Sequence, residues 1–516
     1  MTSTTSDAAA PACPAYADLL DHLRSTAVLG STGSVLSWDQ EVMMPAGGLA
    51  QRGDQLAELA KITHQRATDP RVGEWLAACE GGSDCGEDQR VNLRWWRHGY
   101  DRATKLPAEL VVEMSRATSA GKAAWAGARA ASDFSQFAPA LERIVALCRE
   151  EADAYGVPEG GERWDALAEG YEPGMTAASV AAVFEPLRTR LAALIAQLAD
   201  APAPPPDAFT RLTLPRDQQE AFVRHVAQAI GFDFDRGRLD VSTHPFCSGT
   251  HPGDVRLTTR FADDNMNDAL GSTMHECGHG LYEQGLPPEH ANTPRGSAVG
   301  LSIHESQSRL WENQVGRSAS FWRWAHPQLG GFFGDAAAGF DYAAVYGSAN
   351  RVEAGLIRVE ADEATYNLHI MIRFALERAL LTGDLAVADL PDAWNQAYRR
   401  DLGVTVPDDA RGCLQDIHWS MGALGYFPTY TMGNLYSAQL FEAARDALGG
   451  AEALDAQFAQ GTFAPLLDWL RTHVHAPGRS LTSEALCEKV TGKPLSAEPL
   501  LRHLEGKLLP LYGVGA

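Results

Sequence analysis

NMNDALGSTMHECGHGLYEQG, residues 265–285, is the stretch on which the reading of this chain turns. Met266, Leu270 and Met274 recur every four residues, Asp263, Asp264 and Asn265 ahead of them are N-cap types, and Gly285 is the kind of residue found just past a helix end. The pattern predicts a helix. Within it HECGH, 275–279, sets two histidines four apart, so His275 and His279 project from one face, one turn apart, toward a single metal ion. Glu276 lies about 100° round the helix. It is badly placed to be a ligand and well placed to hydrogen-bond a water that the ion activates. Cys277 falls on the far side of the helix and is expected to be an inert, packed thiol.

Two histidines do not complete a site. The extended pattern with a third histidine fails, because Tyr282 stands where its glycine should be and Gly285 where its histidine should be. The acidic candidates downstream are Glu283, Glu289, Glu305 and Glu312. Glu283 continues the same ladder, and three side chains strung along one straight helix do not readily converge on one ion. Glu289 lies in the loop PPEHANTPRG, a soft support for a ligand that needs fixed geometry. Glu305 belongs to SIHESQSRLWENQ, a second helix with Ile303, Leu310, Trp311 and Val315 as its apolar side. The 286–300 loop is long enough to bring that helix back antiparallel. Spacing favours Glu305, with Glu312, two turns on, as the weaker alternative. Two histidines, one glutamate and one open position form the hydrolytic arrangement, in which the metal polarises the scissile carbonyl and lowers the pKa of a water to roughly 7.

Outward from this centre the chain is mostly helical. From about residue 15 to 200, segments such as LAQRGDQLAELAKITHQRA and ALERIVALCREEADAYG place apolar residues at i, i+3, i+4 and i+7, the mark of a helical lobe. DAPAPPPDA at 200–208 cannot continue a helix and marks a surface linker to a catalytic lobe running from about 209 to 516. RLTL at 211–214, RLDVST at 238–243 and VRLTTRF at 255–261 alternate in strand fashion and predict a small three-stranded sheet near the site. The fold class is therefore mainly α, as a single two-lobed domain from residue 15 onward behind a loose tail of about 14 residues.

Composition narrows the function. The 516 residues hold 43 Lys and Arg against 66 Asp and Glu, a net charge of −23, and a phosphate-tracking surface would have to be basic, so nucleic acid is a poor partner. No stretch reaches the roughly 18 apolar residues of a membrane helix. The start, MTSTTSDAAAPACPAY, has neither the basic nor the apolar region of a secretory signal, and the eight cysteines form no CxxC pair. A reduced cytoplasm is the expected compartment.

Several further segments fall into an ordered set. HPF at 244–246, DVRLT at 254–258, HECGH, HESQ at 304–307, IRVEAD at 357–362 and GCLQDIHW at 412–419 resemble the motifs of the carboxypeptidase Taq family of zinc metallocarboxypeptidases. LSWDQEVMMPAGGLAQR at 36–52 and ALGYFPTYTMGN at 423–434 resemble it too, so the likeness spans residues 16 to about 510. It implies a two-lobed helical zincin-like fold with a deep groove, a homodimer, and release of single residues from the C-termini of peptides. It also implies His275, His279 and Glu305 as ligands of Zn2+ or Co2+, and Glu276 as the general base. Oxyanion donors are expected among His244, His418, Tyr426 and Tyr430. The substrate's free carboxylate calls for an arginine, Arg358 or Arg256, unless these pair with Asp362 or Asp254 to hold the groove wall. Asp416 is expected to orient a motif histidine. Two other readings compete: a helical oligopeptidase or aminopeptidase, and a binding protein that keeps its metal only for structure.

Overall fold

The computed structural model describes residues 14–80 and 85–514, so the expected N-terminal tail lies outside the described residues but for Pro14, which opens the first helix, Pro14–Val42. The described residues include twenty-one α-helices and three short strands, joined by loops and short 3-10 or π turns. One apolar core runs from Ala128 to Tyr512, with Trp164, Trp311, Trp322 and Trp394 fully buried, and a smaller one joins the first helix to Val72, Leu76 and Leu93. No helix among the described residues is long and apolar enough to cross a membrane.

The sheet has three strands, β1 (Gly237–Val241), β2 (Cys247–His251) and β3 (Asp254–Thr259), in the order β1-β3-β2. β1 runs parallel to β3 and β2 antiparallel to it, with an irregularity between Gly249 and His251. This corrects one expectation. RLTL at 211–214 is not a strand: the Leu214 N–H makes a single backbone bond, to the Asp263 carbonyl, and Leu214 packs into the core. CSGTH supplies the third strand instead, although it lacks apolar alternation. It pairs because the turn after it folds it back onto β3, and sheet packing outweighs local preference there.

The Pro-rich segment at 200–208 ends the helix Ala177–Ala199 and is tied down, since Ser348 Oγ donates to the Pro206 carbonyl and Arg351 to that of Pro205. The predicted HECGH helix spans Met266–Gly285, and Asn265 caps it by accepting the Asp268 N–H at 3.2 Å. Gly285 is its last residue and not a left-handed stop. A Cβ there would come within 2.3 Å of the His475 ring.

Candidate metal centre and active site

Two helices bring the candidate ligands together. The second runs Leu301–Arg309 and is fixed at its start by Glu172, a buried carboxylate that accepts the Ser302 N–H at 2.7 Å, where a negative charge suits the positive end of the helix. The two helices touch at Gly278, where a Cβ would stand 2.4 Å from the Gln307 carbonyl and 2.5 Å from Ser308 Cα. Only glycine permits that approach. It brings the Nε2 atoms of His275 and His279 to 3.6 and 3.4 Å from Glu305 Oε2. One ligand atom from each of the three residues lies within 4.8 Å of the others, the geometry of a site for one ion.

The donor atoms are held in the right state. Glu312 Oε2 accepts from His275 Nδ1 at 2.9 Å, which puts a proton on Nδ1 and turns Nε2 toward Glu305; burial lowers the pKa of this ring, but Glu305 and Glu312 outweigh it and raise it above the ordinary value. His304 Nε2 donates to Glu283 Oε1 at 2.7 Å, so His304 Nδ1 carries a lone pair and accepts a hydrogen bond from His279 Nδ1 at 2.6 Å. His279 Nε2 is thereby free to ligate. Arg309 Nε donates to Glu305 Oε1 at 2.7 Å, leaving Oε2 for the ion, and Arg309 also binds Glu312 at 3.1 Å. Residues 310–315 form a turn of π-helix, a wider winding that recurs at functional sites, and this turn carries Glu312 to His275.

Charge follows from these contacts. Burial alone would raise the Glu305 carboxyl, but Arg309 and the two histidines outweigh it and hold the group well below the usual carboxylate range. Burial lowers His279 to about 3, so its ring is neutral at physiological pH, as a ligand must be. Glu276 is buried beside them, and desolvation pushes it up to about 7, with His275 pulling the other way. A carboxylate poised there can take a proton and return it near neutral pH.

The remaining expected residues divide into two groups. Beside Glu305 stands a wall of Tyr366, Tyr426, Tyr430, His418 and Arg358: Arg309 lies 4.2 Å over the Tyr366 ring, Arg358 donates to Tyr366 Oη at 3.1 Å, and His418 Nε2 is 3.4 Å from Tyr430 Oη. Tyr426 and Tyr430 meet edge to face at 5.4 Å. Burial lowers His418 to about 4, so its ring is neutral. Arg358 is buried and paired with Asp416 at 2.9 Å, not with Asp362. Asp416 does not hydrogen-bond a histidine. It bridges Arg358 and Arg373, because two buried guanidinium groups need one shared counter-charge. The second group stands apart. Arg256 on β3 is paired with Asp254 at 2.8 Å and stacked 4.5 Å over Trp38, and His244 is exposed in the loop before β2; neither hydrogen-bonds the three candidate ligands. Cys277 is fully buried, and burial raises its thiol well above the ordinary value, so it stays protonated.

Sequence reasoning missed His304 and the true place of Glu283 and Glu312. The signal was present: His304 adjoins Glu305 in HESQ, and both acids stood among the ligand candidates.

Known proteins resemble this chain along nearly its whole length. The family profile described as carboxypeptidase Taq (M32) metallopeptidase matches residues 18–508. Thermostable carboxypeptidase 1 of Thermus thermophilus is 46% identical over 512 residues, covering 97% of this chain and 99% of that protein. Thermostable carboxypeptidase 1 of Pyrococcus furiosus is 35% identical over 493 residues, covering 95% and 98%. Among solved structures, the M32 carboxypeptidase from Deinococcus radiodurans R1 superposes with a TM-score of 0.93 at 41% identity, over 97% of this chain and 100% of that one.

Proposed function

Because the chain belongs to the carboxypeptidase Taq (M32) family and is a metallocarboxypeptidase, we propose that it removes single residues from the free C-termini of peptides at a zinc ion held by His275, His279 and Glu305. The observation that carries the proposal is the convergence of two Nε2 atoms and one carboxylate oxygen, each with its other side already bonded. Three protein ligands would leave such an ion a fourth position, which a closed structural site would not. A divalent ion bound there supplies Lewis acidity, polarising the scissile carbonyl and acidifying the attacking water.

The chain's own residues do the rest. Glu276, with its pKa near 7, takes the proton of the attacking water and hands it to the departing amine. The Tyr430 and Tyr426 hydroxyls and the His418 ring line the wall beside Glu305, where a donor is needed for the negative charge that grows on the carbonyl oxygen. Arg358 is the proposed anchor for the terminal carboxylate: Asp416 fixes two of its donors, and the guanidinium is held rigid at the wall by Tyr366. His244, in the loop before β2, and Arg256, paired with Asp254 on β3, are proposed to act on the bound peptide.

Paired variants test this reading. His279→Ala is expected to lose both metal and hydrolysis, whereas Glu276→Gln keeps one metal per chain and loses most hydrolysis, since an amide cannot accept the proton. Full metal occupancy in the first variant, or near-normal kcat in the second, overturns the respective assignment.

A further inference from the structure

A cavity of about 470 Å³ lies between the helix Pro14–Val42 and the outer edge of β2. Ser34, His251, Glu283, Asn292 and Arg479 are among its lining residues. Glu283 ties it to the candidate metal centre, because the same carboxylate accepts from His304, which accepts from His279.

Arg479 is the unusual member. Its guanidinium stacks 4.0 Å over the Trp95 ring, which Arg94 flanks at 5.0 Å, and it makes no ion pair among the described residues. The acids nearest in influence, Glu172 and Glu169, are committed elsewhere. Glu172 accepts from the Ser302 N–H and Ser483 Oγ, and Glu169 from His98 Nε2 at 3.0 Å and the Gly174 N–H at 2.8 Å. A half-buried cation without a direct ion pair is costly, and this one lines a cavity in a chain that carries 23 more acidic than basic residues. The two arginines of the family-like motifs differ from it, as each is already paired with an aspartate.

We propose that this cavity is a subsite of the peptide groove, where Arg479 pairs with a carboxylate of the bound peptide, either its C-terminal group or an acidic side chain. The proposal rests on the peptidase reading, so its test measures binding and not turnover. Four labelled hexapeptides, free or amidated at the C-terminus and bearing Glu or Gln upstream, are titrated by fluorescence anisotropy into metal-loaded Glu276→Gln protein. The same titrations are run with Arg479→Gln and with Arg479→Lys added, and melting curves confirm folding. Arg479→Gln is expected to weaken one carboxylate class by roughly ten- to a hundredfold, while the neutral amidated peptide stays within about twofold. Loss confined to the Glu peptides identifies a side chain as the partner. Loss confined to the free-acid peptides identifies the terminal group and moves the anchor from Arg358 to Arg479. Arg479→Lys, which keeps the charge and loses the planar fork, is expected to lose part of the same preference and serves alone should the glutamine variant not fold. Equal loss for all four peptides, or no loss in either variant, overturns the proposal. Cleavage of the peptides by the Glu276→Gln protein, seen by mass spectrometry, would instead count against the base assignment.

Discussion

Gly278→Ala separates the geometry argued above from simple helix propensity, because the two predict opposite signs. Alanine favours a helix interior over glycine by about 1 kcal/mol, so without a tertiary constraint the change should stabilise the HECGH helix. The structure places a Cβ at this position 2.4 Å from the Gln307 carbonyl oxygen and 2.5 Å from Ser308 Cα, both backbone atoms that cannot swing aside. Restoring ordinary contact requires the two helices that carry the candidate ligands to part by about 1 Å, and overpacking of this kind costs roughly 1–3 kcal/mol. The same 1 Å acts on the ligands. Metal distances tolerate only about 0.2 Å, so Glu305 is expected to drift out of reach of an ion held by His275 and His279. Zinc affinity should fall by at least the roughly ten- to hundredfold seen when a ligand's orientation is lost. Competition with a chromophoric chelator measures the affinity, and thermal melts with and without metal measure stability. A Gly278→Ala protein that melts later and binds zinc as tightly as the parent would refute the close-contact argument.

Other predictions follow from the surrounding contacts. Glu312→Ala removes the acceptor for His275 Nδ1 and leaves Arg309 and Arg317 short of a partner, so zinc affinity measured by the same competition should drop roughly ten- to a hundredfold while helical content by circular dichroism is kept. Glu377 is fully buried between Trp164, Trp419 and the Gly425 N–H, and burial pushes it up to about 7. Its native pKa exceeds its unfolded one, so the folded state binds more protons, and stability is lost as pH rises from about 4.5 through about 7. Denaturant unfolding should show the parent losing roughly 3 kcal/mol relative to Glu377→Gln over that window, at about 1.36 kcal/mol per unit, and parallel pH profiles would contradict this. The homodimer implied by the family likeness predicts a light-scattering mass twice the 55.6 kDa of one chain.

Much of the centre was legible because periodicity and chemistry coincide in HECGH: the apolar four-residue spacing gives the helix, and the same spacing aligns the two imidazoles. Glu305 was favoured over Glu312 on the same second amphipathic helix, a loop's length away, because it lies two turns nearer that helix's start. What lay hidden depends on tertiary detail. The π-helical turn at 310–315 carries Glu312 to His275, and ideal helix geometry does not anticipate it. His304, to which the sequence reading gave no role, is the partner of His279, a relation set by how closely Gly278 lets the helices approach. The strand CSGTH has no sequence signature of its own. It exists because β3 and the HECGH helix offer a surface to pair and pack against, whereas RLTL, with better alternation, found no partner strand. Asp416 pairs with arginines because the fold buries Arg358 and Arg373 together, which no local pattern reveals.

The most direct test of the central claim is mass spectrometry of peptides incubated with the zinc-loaded protein, each peptide supplied as free acid and as amide. The account predicts a ladder of products shortened one residue at a time from the C-terminus of the free acids, with the amides largely intact, and no ladder from the His279→Ala protein. Products trimmed from the N-terminus or cut internally, or equal cleavage of acids and amides, would contradict it.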